Sequence, residues 1–178
     1  MSGNKEPIAV TEWRRDAFVI STDPARVPVE DAARWLAEHS YWARGVPPEV
    51  VARAVANSLT FGLYVEQTGA FVGMARVITD RATFAYLADV FVREPYRGRG
   101  LSKWLMEVIL AHPDLQGLRR WLLMTADAHS LYARYGFRPL HSPERVMERH
   151  DPNVYQCQPG PPLPAGSGST PDLSNAKS

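Results

Sequence analysis

The segment Arg97-Gly98-Arg99-Gly100-Leu101-Ser102 places two guanidinium groups, two glycines and the start of a helical pattern within a few residues. Gly98 and Gly100 let the backbone approach a ligand and adopt conformations that a Cβ disfavours. A helix N-terminus presents unpaired N–H groups and a partial positive charge, and arginines add charge-assisted hydrogen bonds. The chemistry such a turn suits is the holding of a phosphate or pyrophosphate. A plain strand-to-helix connection with solvated arginines has the same composition. The turn is not a Walker loop, since no Gly-Lys-Ser/Thr follows, and it lacks the dinucleotide pattern of three spaced glycines.

A second chemical signal is Asp89, set inside the otherwise apolar run Ala85-Tyr86-Leu87-Ala88-Asp89-Val90-Phe91. A bare carboxylate is costly to bury. Asp89 therefore either faces a cleft, where desolvation would help it accept a proton, or pairs with an arginine of a neighbouring strand such as Arg76. Asp127 reads as a base or as a helix N-cap, and His129 as a proton relay or an exposed helix residue. Tyr41-Trp42-Ala43-Arg44-Gly45 is aromatic-rich and suits either the wall of a substrate pocket or the packing of a helix connection. The five histidines show no metal-ligand spacing, so no catalytic metal is expected.

The elements that must position these residues follow from periodicity. A short strand is expected over 18–21, a helix over 29–38 and a second helix opened by Pro47 and Pro48. Strands over 59–66 and 71–79 form a hairpin, and a long strand over 83–92 is apolar on both faces. Leu101, Trp104, Leu105, Val108 and Ile109 recur at helical spacing directly after the Arg/Gly turn. A strand over 121–124, a short helix over 127–135 capped by Gly136, and edge segments Phe137-Arg138 and Val146-Met147-Glu148 complete the reading. The expected class is α/β, a mixed sheet with an antiparallel first half and a central parallel β-α-β unit.

Strand, Arg97-x-x-Gly100-x-Ser102, helix, and then Leu131-Tyr132-x-x-x-Gly136-Phe137 together resemble the GNAT superfamily of N-acetyltransferases. Thr79-Asp80 and Asp89-Val90-Phe91-Val92 are similar to a subgroup of small bacterial members with undefined acceptors. Ser102 stands where the family usually has Gly or Ala. The resemblance implies an acyl-CoA N-acyltransferase fold over 11–155. It implies acetyl-CoA as cosubstrate, with its pyrophosphate on the amides of Arg97, Gly98, Arg99, Gly100, Leu101 and Ser102. The pantetheine arm would run beside Val90, Phe91 and Val92, near a bulge or splay between strands. Val90 N–H would face the acetyl carbonyl, where negative charge develops as an amine attacks. Tyr132 would donate to the departing thiolate; an ordinary phenol has a pKa of about 10 and a thiol about 8.5. The catalytic set is then Tyr132, Val90 and Asp89, with Asp127, His129 or a water chain as other routes for the proton. Tyr41 and Trp42 would contact the acceptor.

The chain has 178 residues, 45% of them hydrophobic, which suits one domain with an ordinary core. Lys and Arg number 20 against 19 Asp and Glu, for a net charge of +1. That balance gives no reason to expect nucleic acid or an anionic membrane as partner. The lone Cys157 makes no intrachain disulfide. Neither an export signal nor a long apolar run is visible, which predicts a soluble, cytoplasmic protein. Residues 1–10 read as a flexible lead, and 156–178, rich in Pro, Gly and Ser, as a disordered tail. The expected activity is acetyl transfer to a primary amine of a small molecule, by an enzyme for which a homodimer is compatible. A protein acetyltransferase and a non-catalytic acyl-CoA-binding module are the alternatives.

Overall fold

A computed structural model describes residues 10–155; the expected tail, Cys157 and all but the last residue of the expected lead lie outside them. Chain contacts divide the molecule into a unit ending at Glu148 and another beginning at Arg149. In the second, the described residues form a turn in which Asp151 Oδ1 accepts from Asn153 N–H.

The first unit runs β1 (Glu12–Arg15), β2 (Phe18–Ser21), α1 (Val29–His39), α2 (Pro48–Ala56), β3 (Leu59–Val65), β4 (Phe71–Thr79), β5 (Phe84–Val92), α3 (Leu101–Ala111), β6 (Arg120–Leu122) and α4 (His129–Ala133). The six strands form one sheet in sequence order. The pairings are antiparallel as far as β5, and β5 pairs with β6 in parallel.

Alternation along the strands sends neighbouring residues to opposite faces. Val19, Tyr64, Met74 and Phe91 pack with Ala33 and Leu36 of α1 and Val51 and Val55 of α2. Ile20, Phe61, Leu63, Val77 and Leu87 pack with Leu101, Trp104, Leu105, Val108 and Ile109 of α3. Each large apolar side chain buried this way contributes about 1.5–3 kcal/mol, so the periodicity read from the sequence is also what fixes α3 against the sheet. On the other face Trp35 of α1 lies flat on Phe91, with ring centres 3.8 Å apart.

Four local readings need correction. The sheet begins one strand earlier, with β1 joined to β2 by a turn in which Asp16 adopts φ 51°. Asp-Ala lacks the glycine that usually marks a two-residue hairpin, so the turn left no signal. The strand expected over 121–124 is Arg120–Leu122, and Met124 is exposed. The last helix is His129–Ala133, and its N-cap is Ala128 with no side-chain cap, so Asp127 does not cap it. Phe137-Arg138 and Val146-Met147-Glu148 form no strand, and Met147 is 94% exposed. Strand propensity without a pairing partner and a buried face does not hold an edge strand; Pro139 and Pro143 further restrict this stretch.

Candidate active site

β5 carries the site because its two neighbours treat it differently at its C-terminal end. Toward β4, Met74 opposes Phe91 and Arg76 opposes Ala88, so Asp89 and Val90 together face Ala75. This is a β-bulge, and Asp89 occupies its left-handed position at φ 49°. Gly73 is required beside it, since a Cβ there would stand 2.3 Å from Phe91 O. Toward β6, pairing ends at Tyr86 with Leu122, and the strands splay apart. Arg93 N–H donates to Val72 O at 2.8 Å, which turns residues 91 and 93 toward β4. Val90 and Val92, alternating with them, direct their backbone groups to the splayed side.

Below the splay, Gly98 and Gly100 adopt φ 77° and 74°, and Gly100 caps α3 without any side-chain hydrogen bond. A Cβ at either glycine would meet nothing within 4 Å, so glycine serves the dihedral angle and the open approach rather than relieving a clash. Among the described residues, the N–H groups of Gly98, Arg99, Gly100, Leu101, Ser102 and Lys103 have no protein acceptor, whereas the Arg97 N–H, expected among them, donates to Glu94 O at 3.1 Å. Of these residues, all but Arg99 border a hollow of about 330 Å³ shared with Val92, Tyr96, Arg97 and Leu131. Arg97 Nε donates to Val92 O at 3.0 Å, which ties the turn to the end of β5. Arg99 lies over the Tyr96 ring, 5.8 Å from its centre. The Phe91 side chain is buried beneath Trp35, and its backbone groups are turned toward β4 with those of Arg93.

Tyr132 projects from α4 with 9% of its surface exposed and its ring edge-on to Phe137. Burial, with lesser effects of Tyr41 and Asp127, pushes its phenol up to about 12. Asp127 and His129 are exposed.

The connection between α1 and α2 spans the splay. Tyr41 Oη accepts from Ala126 N–H at 2.6 Å on the β6 side. Trp42 Nε1 donates to Asp89 Oδ1 at 3.1 Å on the β5 side. Asp89 Oδ2 pairs with Arg76 Nε at 2.7 Å, and both side chains are nearly buried, at 12% and 10% exposure. Arg76 continues to Ala54 O at 3.3 Å and Ser58 Oγ at 3.1 Å, at the end of α2. Of the two sequence readings of Asp89, the ion pair is thus the one formed. Tyr86, which sequence reasoning did not single out, faces the same cluster; burial and then Asp89 raise its pKa, while Arg76 opposes them. Its signal was a phenol within an apolar strand, three residues before the carboxylate.

Among the described residues, no group of three or more His, Cys, Asp and Glu is placed to hold a metal, and no helix is long and apolar enough to cross a membrane.

Known proteins resemble this chain in sequence and fold. The family model described as "Acetyltransferase (GNAT) family" matches residues 9–137. A curated relative from Gibberella zeae, "Putative acetyltransferase FG08082", is 30% identical over 142 residues, covering 68% of this chain and 79% of that protein. A crystal structure of a GNAT-family protein from Xanthomonas campestris pv. campestris is 49% identical and superimposes with a TM-score of 0.77, over 81% of this chain and all of that one. A Clostridium acetobutylicum acetyltransferase structure containing acetyl-CoA, 13% identical, shares the fold at a TM-score of 0.57 over 75% of this chain and 94% of that one. A splayed strand pair above an Arg/Gly helix cap, with the family match spanning both, makes this chain a member of the GNAT family of acetyltransferases.

Proposed function

We propose that this protein is an acetyl-CoA-dependent N-acetyltransferase acting directly on a primary amine of a small molecule. The observation that carries the reading is the run of unpartnered amides at 98–103, opening on the same side of β5 as Val90 and Tyr132. Aligned N–H groups at the start of an eleven-residue helix, with Lys103 beside them, fit a pyrophosphate. Acetyl-CoA, when bound, supplies the acyl group as a thioester. Val90 N–H then stabilises the negative charge that grows on the acyl oxygen during attack. Tyr132 keeps its proton across the physiological range and donates a hydrogen bond to the leaving sulfur. With its phenol near 12 and a free thiol near 8.5, complete proton transfer would be uphill by about 5 kcal/mol. Tyr132 therefore acts as a donor more than as a full acid.

Both oxygens of Asp89 are engaged, by Arg76 and Trp42. We assign Asp89 to holding the strand, and the amine's proton to water at the mouth. An alkylamine with a pKa of about 10.4 is neutral for roughly one molecule in 2,500 at pH 7. The rate with such an acceptor should accordingly rise about tenfold per pH unit until that pKa. The link from Tyr41 to Ala126 roofs the splay, which suits a small acceptor. The test is an amine-library screen that reads release of free CoA thiol, with acetyl-CoA binding measured by calorimetry. Transfer to a small amine is expected. Acetyl-CoA binding without transfer to any amine would instead identify a binding module, and transfer only to peptides would identify a protein acetyltransferase.

A further inference from the structure

We propose that Arg76 is a positioning residue, which clamps the Asp89 bulge so that Val90 N–H stays aimed into the splay, and that Trp42 couples this clamp to the acceptor loop. The inference rests on the reading of Val90 given above. Asp89 carries a Cβ in the left-handed region, which most side chains disfavour. An extended strand could release that strain by losing the bulge. Losing one residue from the bulge would shift the register, and a one-residue shift turns every backbone group on the far side to the opposite edge. Val90 N–H would then face β4 instead of the splay.

What opposes this is a chain of polar contacts on Asp89. Arg76 comes from β4, the strand the bulge faces, and its guanidinium is planar, so fixing one nitrogen fixes the rest. Its Nε holds Asp89 Oδ2, while a second nitrogen is held by Ala54 O and Ser58 Oγ at the end of α2. The carboxylate is therefore referenced to the helix layer as well as to the sheet. Its other oxygen takes the Trp42 indole N–H from the loop that closes over the splay. Movement of that loop on binding an acceptor reaches the bulge through one hydrogen bond. Arg76 is the single charged residue of β4, and nothing else in the proposed chemistry requires a cation there.

The test uses Arg76→Gln, Arg76→Lys, Asp89→Asn and Trp42→Phe in the full chain, with the acceptor identified by the screen. Misaiming one group by about 1 Å costs on the order of 100-fold. Arg76→Gln and Asp89→Asn should lower kcat by about that factor, while the Kd for acetyl-CoA changes by less than about twofold. Arg76→Lys, which keeps the charge but not the fork, should recover part of the loss. Trp42→Phe removes the exposed hydrogen bond while keeping an aromatic ring beside Tyr41, leaves no buried charge unpaired, and so folds even if Arg76→Gln does not; it should lower kcat by about three- to tenfold. In the unliganded protein, the Val90 amide resonance should move in Asp89→Asn and Trp42→Phe. Unchanged kcat in folded Asp89→Asn and Trp42→Phe, or a Val90 resonance that does not move, would overturn the clamp. Failure of the wild type to acetylate any amine would overturn the proposed function instead, and the resonance test would still decide the clamp.

Discussion

Replacing Tyr132 by Phe separates packing from chemistry at the point where they meet. The ring is 9% exposed and lies edge-on to Phe137 at 6.0 Å. Phe keeps that ring, so the core contacts persist. The hydroxyl is not engaged in any hydrogen bond that affects its titration, so its removal should change stability by less than about 1 kcal/mol. Positioned proton donors contribute about 10²- to 10⁴-fold to rate. Because the phenol is held near 12, Tyr132 is a weak acid, and the lower end applies: kcat should fall by about 10²-fold, or about 2.7 kcal/mol. The Kd for acetyl-CoA should stay within about twofold. The pH profile adds a second reading. A free tyrosine loses its proton near pH 10, whereas this one should let kcat show no fall on the alkaline side up to about pH 11 in thiol-release assays. An unchanged kcat in Tyr132→Phe would remove the donor role. A wild-type alkaline limb near pH 10, absent in the variant, would show that burial does not hold the phenol protonated.

At the turn, Gly100→Ala meets no atom within 4 Å but forces a Cβ into φ 74°. It should cost about 1–2 kcal/mol in urea unfolding, and Gly100→Glu should also abolish acetyl-CoA binding by calorimetry; unchanged affinity in Gly100→Glu would refute the pyrophosphate assignment. His112 is buried against Trp13 and Phe61, and burial lowers its pKa from 6.5. Its folded form resists protonation while the unfolded chain binds a proton, so this contribution to stability is complete above pH 6.5 and is lost as pH falls below it. Below about pH 6.5 the unfolding free energy should drop by up to about 1.4 kcal/mol per pH unit from this group, and by less in His112→Asn; equal slopes in the two proteins would exclude it.

Much of the scaffold was legible because it is built from local periodicity. Leu101, Trp104, Leu105, Val108 and Ile109 marked α3, and all five are buried. Strand β4 was read with its observed ends, because a turn bounded it on each side. Readings that depended on distant partners fared less well. Val146-Met147-Glu148 has strand composition, yet no strand lies beside it. Asp127 has the residue type of a cap, but the helix starts two residues later.

The sequence by itself determined the α/β class, the Arg/Gly turn opening α3 and the tyrosine that follows on α4. Each is a matter of residues adjacent or one helical turn apart, where chain geometry leaves few choices. Only the tertiary structure decided what Asp89 does, because its surroundings come from three separate segments: Arg76 on β4, Trp42 in the loop and, through Arg76, Ala54 and Ser58 at the end of α2. A carboxylate in an apolar strand must find a partner or a cleft. Which it finds is set by how the strands register and how the helices lie upon them, and no local pattern encodes that.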